Sequence, residues 1–148
     1  MSSIIRTMTA DDKACILEMM RTFYASPAVL SNGSEQIFHN NIDRCILGHP
    51  CLEGYVMEDA GIIQGYAMIV KSYSTEYGKT CIWIEDLYVA ERYRGQGIGS
   101  LFLRYITGKF SDCLFRLEVE EENKQAIRAY EKCGFSPLPY MEMKLEKR

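Results

Sequence analysis

Apolar positions along the chain alternate between a helical period and a strand period, and the switches mark out the elements. Residues 3–7 can form a short strand. Ile16, Leu17, Met19, Met20, Phe23 and Tyr24 then recur at helical spacing and predict a helix over about 11–24. Thr9 followed three positions later by Asp12 resembles a capping box at its start, with Asp in place of the usual Glu or Gln, and Ser26-Pro27 closes it. A second helix is predicted from Ser34 to about Leu47, burying Ile37, Phe38, Ile42, Cys45 and Ile46, until Gly48-His49-Pro50 breaks it. Residues 24–36 read as a mobile connection between the two.

The period then shortens. Cys51–Glu58 and Ile62–Lys71 are β-branched and aromatic runs separated by Asp59-Ala60-Gly61, which predicts an antiparallel hairpin. After a polar turn over Tyr73–Lys79, Cys81–Val89 predicts a further strand. Ile98, Leu101, Phe102, Tyr105 and Ile106 mark one face of a helix ending near Gly108. Leu114–Glu120 predicts a strand, Asn123–Cys133 a helix closed by Gly134, and Tyr140–Leu145 a last strand. The order β-α-α-β-β-β-α-β-α-β, without internal repeats, predicts an α/β fold over 1–148. Its mixed central β-sheet would be flanked by helices on both faces.

Composition narrows the function classes. A chain of 148 residues matches one domain, and 47% hydrophobic with 25% charged residues is the balance of a globular protein, not of a disordered or membrane-spanning one. A net charge of −3 argues against general affinity for nucleic acid or for an anionic membrane, and favours neutral or cationic partners. The six cysteines include no Cys-x-x-Cys pair and there are only two histidines, His39 and His49, so no metal site is expected. MSSIIRTMTADD has no apolar core of a secretory signal, which predicts a cytoplasmic chain with reduced thiols. Asn32-Gly33-Ser34 matches a glycosylation sequon but reads as a turn leading into a helix cap.

Candidate chemistry begins at Arg94-Gly95-Gln96-Gly97-Ile98-Gly99-Ser100, set between a strand and an amphipathic helix. Small residues let the backbone curl until several amide N–H groups converge, and the helix N-terminus adds partial positive charge; such a spot suits an anion. Arg92 and Arg94 add full charges. The loop lacks the Lys-Ser/Thr ending of a nucleoside-triphosphate loop, and its glycine spacing differs from G-x-G-x-x-G. A pyrophosphate on another cofactor fits, and a glycine-rich turn without a ligand is the alternative.

Arg94-x-x-Gly97-x-Gly99, following Leu87-Tyr88-Val89, resembles the acetyl-coenzyme A signature of the GNAT family of N-acetyltransferases. Asn123-x-x-Ala126-x-x-x-Tyr130-x-x-x-Gly134-Phe135 resembles the family's later segment. The resemblance covers about 80–136. It implies acetyl-CoA as cosubstrate, with its pyrophosphate on the backbone amides of Gly95, Gln96, Gly97, Ile98, Gly99 and Ser100. The backbone of Leu87, Tyr88 and Val89 would pair with the pantetheine arm, and Asn123 would contact the cofactor. It also implies acetyl transfer to a primary amine in a ternary complex, and makes a homodimer plausible.

An alkylamine near pKa 10.4 is protonated at neutral pH and has no lone pair for attack, so a base must remove a proton and a donor must protonate the departing thiolate. Tyr130 matches the position where the family commonly places that donor. Two carboxylates compete as base. Glu85, in Trp83-Ile84-Glu85-Asp86-Leu87-Tyr88-Val89, resembles the diamine (spermidine/spermine) acetyltransferase branch, whereas Glu118, in Leu117-Glu118-Val119, resembles the branch acetylating ribosomal-protein N-termini. Glu85 is favoured, and with it a small cationic amine as substrate; protein N-terminal or lysine amines come second, and a non-catalytic CoA sensor is a third class. Strand alternation places Asp86 opposite Glu85, where it either binds a substrate ammonium, as Glu85 also could, or hydrogen-bonds a loop. The same alternation puts Cys81 on the side of Glu85. Trp83 and Tyr88 read as core residues or as channel lining.

Overall fold

The computed structural model describes residues 2–147. In chain order the elements are β1 (Ile4–Thr7), α1 (Lys13–Tyr24), α2 (Glu35–Leu47), β2 (Leu52–Asp59), β3 (Ile62–Ser74), β4 (Lys79–Val89), α3 (Ile98–Lys109), β5 (Leu114–Leu117) and α4 (Lys124–Lys132). One sheet runs β1-β2-β3-β4-β5. It is antiparallel from β1 to β4 and parallel between β4 and β5. The expected α/β architecture, a mixed sheet with helices on both faces, is therefore present.

Alternation along the central strands divides the core into two layers. Ile16, Leu17 and Met20 of α1 and Phe38 and Ile42 of α2 pack on Val56, Tyr66, Met68 and Tyr88. On the other face Ile98, Phe102, Leu103 and Ile106 of α3 pack on Tyr55, Met57, Ala67, Ile69, Ile82 and Ile84. Each fully buried side chain of this size contributes about 1.5–3 kcal/mol, so both helical layers are held chiefly by their apolar stripes.

The predicted boundaries have local causes. Asp12 accepts hydrogen bonds from the backbone and hydroxyl of Thr9 and from two nitrogens of Arg6, forming the capping box ahead of α1; the Arg6 guanidinium holds its carboxyl below the usual range. The Ser34 hydroxyl accepts from the Ile37 N–H at 3.2 Å and caps α2. Between β2 and β3 the two-residue turn Ala60-Gly61 has φ of 51° and 80°, the left-handed pair that matches strand twist in a tight hairpin.

Two expectations need correction. Tyr140–Leu145 forms no strand: the segment after α4 does not pair with the open edge of β5, and with Met141, Met143 and Leu145 86%, 89% and 81% exposed it buries no apolar face that would hold it there. The strand predicted over Leu114–Glu120 stops at Leu117, where β5 leaves β4.

A bulge in β4 matters more for the site. Met68 of β3 faces Asp86, but the next residue, Ile69, faces Ile84, so Glu85 is the extra residue without a partner. The bulge inverts the alternation. Ile82 and Ile84 before it, and Leu87 and Val89 after it, all pack on the α3 side. Side assignments carried across Glu85 therefore do not hold. All six cysteines are free, and among the described residues no helix is long and apolar enough to cross a membrane.

Candidate active site

The site grows from the point where two parallel strands part. Four rungs join β4 to β5, the last being Ile84 opposite Leu117. Beyond it the strands separate, and the β5-facing edge of Glu85–Val89 has no strand neighbour, which leaves main-chain groups open for an extended, amide-bearing ligand. The chain then turns through Glu91–Tyr93 into the glycine loop. Arg94 is fixed there: its Nε donates to the Val89 carbonyl at 2.7 Å, and its guanidinium carbon lies 5.4 Å from the centre of the Tyr88 ring. The Val89 carbonyl thus has a partner within the chain, which narrows the free edge expected for Leu87–Val89.

Gly95 and Gly97 adopt φ of 79° and 80°, a conformation costing other residues about 1–2 kcal/mol. Gly97 is the N-cap of α3 and offers no side chain to the first turn, so the N–H groups of Ile98, Gly99 and Ser100 lack the usual cap. A Cβ built on Gly95, Gly97 or Gly99 would meet nothing within 4 Å, so the space in front of the loop is open. Uncapped amides, a helix N-terminus and Arg94 suit the pyrophosphate of coenzyme A, and the open edge of β4 suits its pantetheine amides.

Leu87, Val89, Arg94, Gly95, Gly97, Ile98, Gly99 and Ser100 line one cleft of about 1090 Å³ together with Asn123, Glu118 and Tyr130. The Asn123 side-chain oxygen accepts from the Ala126 N–H at 3.3 Å and caps α4. Gln96 is exposed at the loop tip, and Tyr88 is buried in the α1–α2 layer; neither lines the cleft. Phe23, Ser26, Pro27, Ala28 and Leu30 form a rim of the cleft that the motifs gave no means of assigning. A second cavity, about 980 Å³, lies between β5 and the segment after α4 and includes Trp83, Arg116 and Glu142. Glu118, Val119 and Tyr130 line both, so the two spaces meet at a carboxylate and a phenol.

Tyr130 is half-buried, its ring 6.0 Å from that of Phe135, and burial raises its pKa, so it is protonated at neutral pH. Glu85 stands in the bulge, exposed at its tip yet partly stripped of water by its neighbours. That desolvation, followed by the charges of Asp86 and Glu142, raises its pKa. Glu118 is pushed up to about 7, first by a hydrogen bond with the Glu142 carboxyl, then by desolvation and by the charges of Glu142 and Glu85. Glu142 was not singled out by sequence because it belongs to a segment that pairs with nothing.

Asp86 departs from one expectation. It is 5% exposed and accepts hydrogen bonds from Tyr24 at 2.8 Å and Tyr66 at 2.7 Å, so its carboxylate is engaged in the interior and does not face solvent as a ligand for a substrate ammonium would. Among the described residues no group of three or more His, Cys, Asp or Glu side chains is placed to hold a metal ion.

Known proteins share this frame. The chain superposes on a possible acetyltransferase from Clostridium difficile 630 with a TM-score of 0.82 at 19% identity, covering 99% of this chain and 98% of that one. AAC(6')-Iy, solved with the bisubstrate analogue CoA-S-monomethyl-acetylneamine, matches with a TM-score of 0.82 at 12% identity over the whole of both chains; these likenesses speak for the fold. In sequence, the chain is 27% identical over 143 residues to a spermine/spermidine N(1)-acetyltransferase of Bacillus subtilis (strain 168), spanning 91% of this chain and 88% of the relative. It is 38% identical over 79 residues to the thialysine N-epsilon-acetyltransferase of Bos taurus, a match spanning 51% of this chain and just under half, 46%, of that enzyme. The model of the acetyltransferase (GNAT) family matches residues 17–135. With the parted strands, the uncapped helix and the family match in agreement, this chain belongs to the GNAT acetyltransferase family.

Proposed function

We propose that the protein transfers an acetyl group from acetyl-CoA to a primary amine of a small cationic acceptor, of which a polyamine is the first candidate, by direct attack in a ternary complex. The observation that carries this reading is the parting of β4 and β5 after Ile84 and Leu117, with the glycine loop at one end of the opening and Glu118 and Tyr130 lining it; Glu85 lines neither cavity but is the first residue of β4 past the last rung. The carboxylates attract an ammonium, and the relatives named for spermine/spermidine and thialysine acetylation take amines of that kind.

Glu85 is the base. A raised pKa brings a carboxylate closer to the neutral range in which general-base catalysis works best. It removes a proton from the ammonium, directly or through one water. The freed nitrogen lone pair forms a bond to the thioester carbonyl carbon, the C–S bond breaks, and the electron pair leaves on sulfur. Tyr130 gives its proton to that thiolate, and the phenolate so formed takes up the second proton of the nitrogen, directly or through water, which leaves the amide and restores Tyr130. Glu118 is the second reading for the base, because it lines both cavities with Tyr130 and is poised at about 7. The open outer edge of β5 and the exposed Met141, Met143 and Leu145 support a homodimer joined through that edge.

Thiol release from acetyl-CoA, measured with polyamines, amino acids, lysine peptides, N-terminal peptides and aminoglycosides, tests the proposal. Release with spermidine or spermine above the no-acceptor control is expected, and Tyr130→Phe should lower kcat by about 10²-fold. Release with peptides alone would transfer the assignment to a protein acetyltransferase. Acetyl-CoA binding without turnover on any acceptor would overturn catalysis in favour of a sensor.

A further inference from the structure

The reaction as proposed has no task for the most deeply buried carboxylate beside the bulge. Asp86 directly follows Glu85, and its two oxygens are divided between two elements: Oδ1 accepts from Tyr24, the last residue of α1, and Oδ2 from Tyr66 of β3. Burying a carboxylate between apolar layers is costly, and two phenol donors offset that cost only while their geometry is kept. The arrangement therefore resists displacement at the residue where β4 is irregular and pairing alone does not fix the chain.

Tyr24 links this point to the cleft. Its ring lies 5.3 Å from Phe23 and 5.2 Å from Phe38, and the Ser26 hydroxyl donates to the Phe23 carbonyl at 2.6 Å. Phe23 and Ser26 belong to the rim of the cofactor cleft. One buried carboxylate thus ties together the rim, the central strand and the bulge that carries Glu85.

We propose that Tyr24, Asp86 and Tyr66 form a positioning clamp that fixes the bulged Glu85 at the acceptor side of the opening and holds the end of α1 against it. The inference rests on the reading of Glu85 as base. Asp86 touches no reacting atom; it acts through Glu85, whose backbone it anchors as the next residue in the chain and whose carboxylate lies within reach of its charge. The groups around Asp86 are Tyr24 from α1, Cys45 from α2, Tyr66 from β3 and Glu85 with Tyr88 on β4. Around Glu85 stand Asp86, Glu118 and Glu142, with Tyr24 close enough to feel its charge.

Asp86→Asn removes the charge, whereas Tyr24→Phe keeps it and removes one hydrogen bond. Both should lower kcat by about 10-fold to 10²-fold, as expected for a misplaced base, with the Kd for acetyl-CoA held within about twofold. With ¹³C-labelled glutamate side chains, and Glu85→Gln to assign the signal, the Glu85 carboxyl should titrate at lower pH in Asp86→Asn than in the wild type. The acid limb of the pH–rate profile should move down with it. Wild-type kcat in folded Tyr24→Phe, or an unmoved Glu85 titration in folded Asp86→Asn, would overturn the clamp. If Asp86→Asn does not fold, Tyr24→Phe and Tyr66→Phe decide: both must lose kcat beyond what their thermal stability explains. Should Glu85→Gln retain full kcat, the base assignment falls, and the clamp falls with it unless the Glu85 titration still moves in Asp86→Asn.

Discussion

Glu85 and Glu118 are the first residues beyond the last rung that joins β4 to β5, Ile84 opposite Leu117, and each lies within the other's electrostatic reach. Two parallel strands that part at a pair of carboxylates make an opening negative at its mouth, while the uncapped helix at its far end is positive. On the proposed function, an acceptor carrying ammonium groups and a cosubstrate carrying phosphates would be drawn to opposite ends of one passage.

This pairing has a signed consequence for pH. Both carboxyls have pKa values above the ordinary range, so the base is lost as pH falls through its raised value and the rate should fall with it. Glu85→Gln should lower kcat by about 10²-fold to 10⁴-fold and flatten the acid limb. Glu118→Gln should leave the limb in place, because a carboxyl poised at about 7 is largely protonated below that pH and sets little charge against Glu85. The limb disappearing in Glu118→Gln instead would make Glu118 the base.

The same raised value bears on stability. A Glu118 carboxyl at about 7 in the folded chain, against 4.5 ordinarily, binds more proton folded than unfolded between those values. Its contribution therefore declines as pH rises from 4.5 to 7. Melting temperature against pH should be flatter over that window in Glu118→Gln than in the wild type, and an unchanged slope would count against the carboxyl pair with Glu142.

Gly97→Glu combines two costs. The left-handed backbone at φ 80° disfavours the new residue by about 1–2 kcal/mol, and its carboxylate would stand where the anion is expected. Acetyl-CoA affinity measured by calorimetry should fall at least about tenfold, equivalent to about 1.4 kcal/mol. Undiminished affinity in the folded variant would remove the loop from the cofactor site.

Ala60 is the one non-glycine residue with positive φ among the described residues. Because its turn needs that conformation and Asn tolerates it better, Ala60→Asn should stabilise the fold by about 1 kcal/mol, read from denaturant unfolding. No gain would mean that the turn relaxes in solution.

A dimer through the β5 edge predicts that light scattering gives twice the chain mass for the full protein. Removal of residues 140–147, which takes away the exposed Met141, Met143 and Leu145, should give a monomer. A monomeric full-length chain would dispose of that contact.

Much of the frame was legible because it rests on local patterns. The stripe from Ile16 to Tyr24 and the cap at Ser34 state their helices directly, and the spacing of Gly95, Gly97 and Gly99 after a strand marks a tight turn into a helix. What escaped depends on relations between distant segments. The bulge at Glu85 is set by the register of β3 against β4, and no residue type in Trp83–Leu87 announces it. Asp86 takes partners 62 and 20 positions away, so alternation could give its side but not its occupation by Tyr24 and Tyr66. Tyr140–Leu145 has the composition of a strand, but a strand also needs a face to bury, and composition is silent about what covers it.

The open stretch of β4 and the amides ahead of α3 are main-chain groups, present whatever side chains accompany them. A recognition surface of that kind is largely blind to substitution: apart from the few glycines that permit its curvature, neighbouring positions can drift while its affinity persists. The other walls of the cleft are built from side chains, among them Glu118, Tyr130 and the rim of Phe23, Ser26, Pro27, Ala28 and Leu30, so there a replacement changes what the cleft can admit. The molecule therefore joins a half that resists evolutionary tinkering to a half that invites it, and a new acceptor can be reached without disturbing the donor.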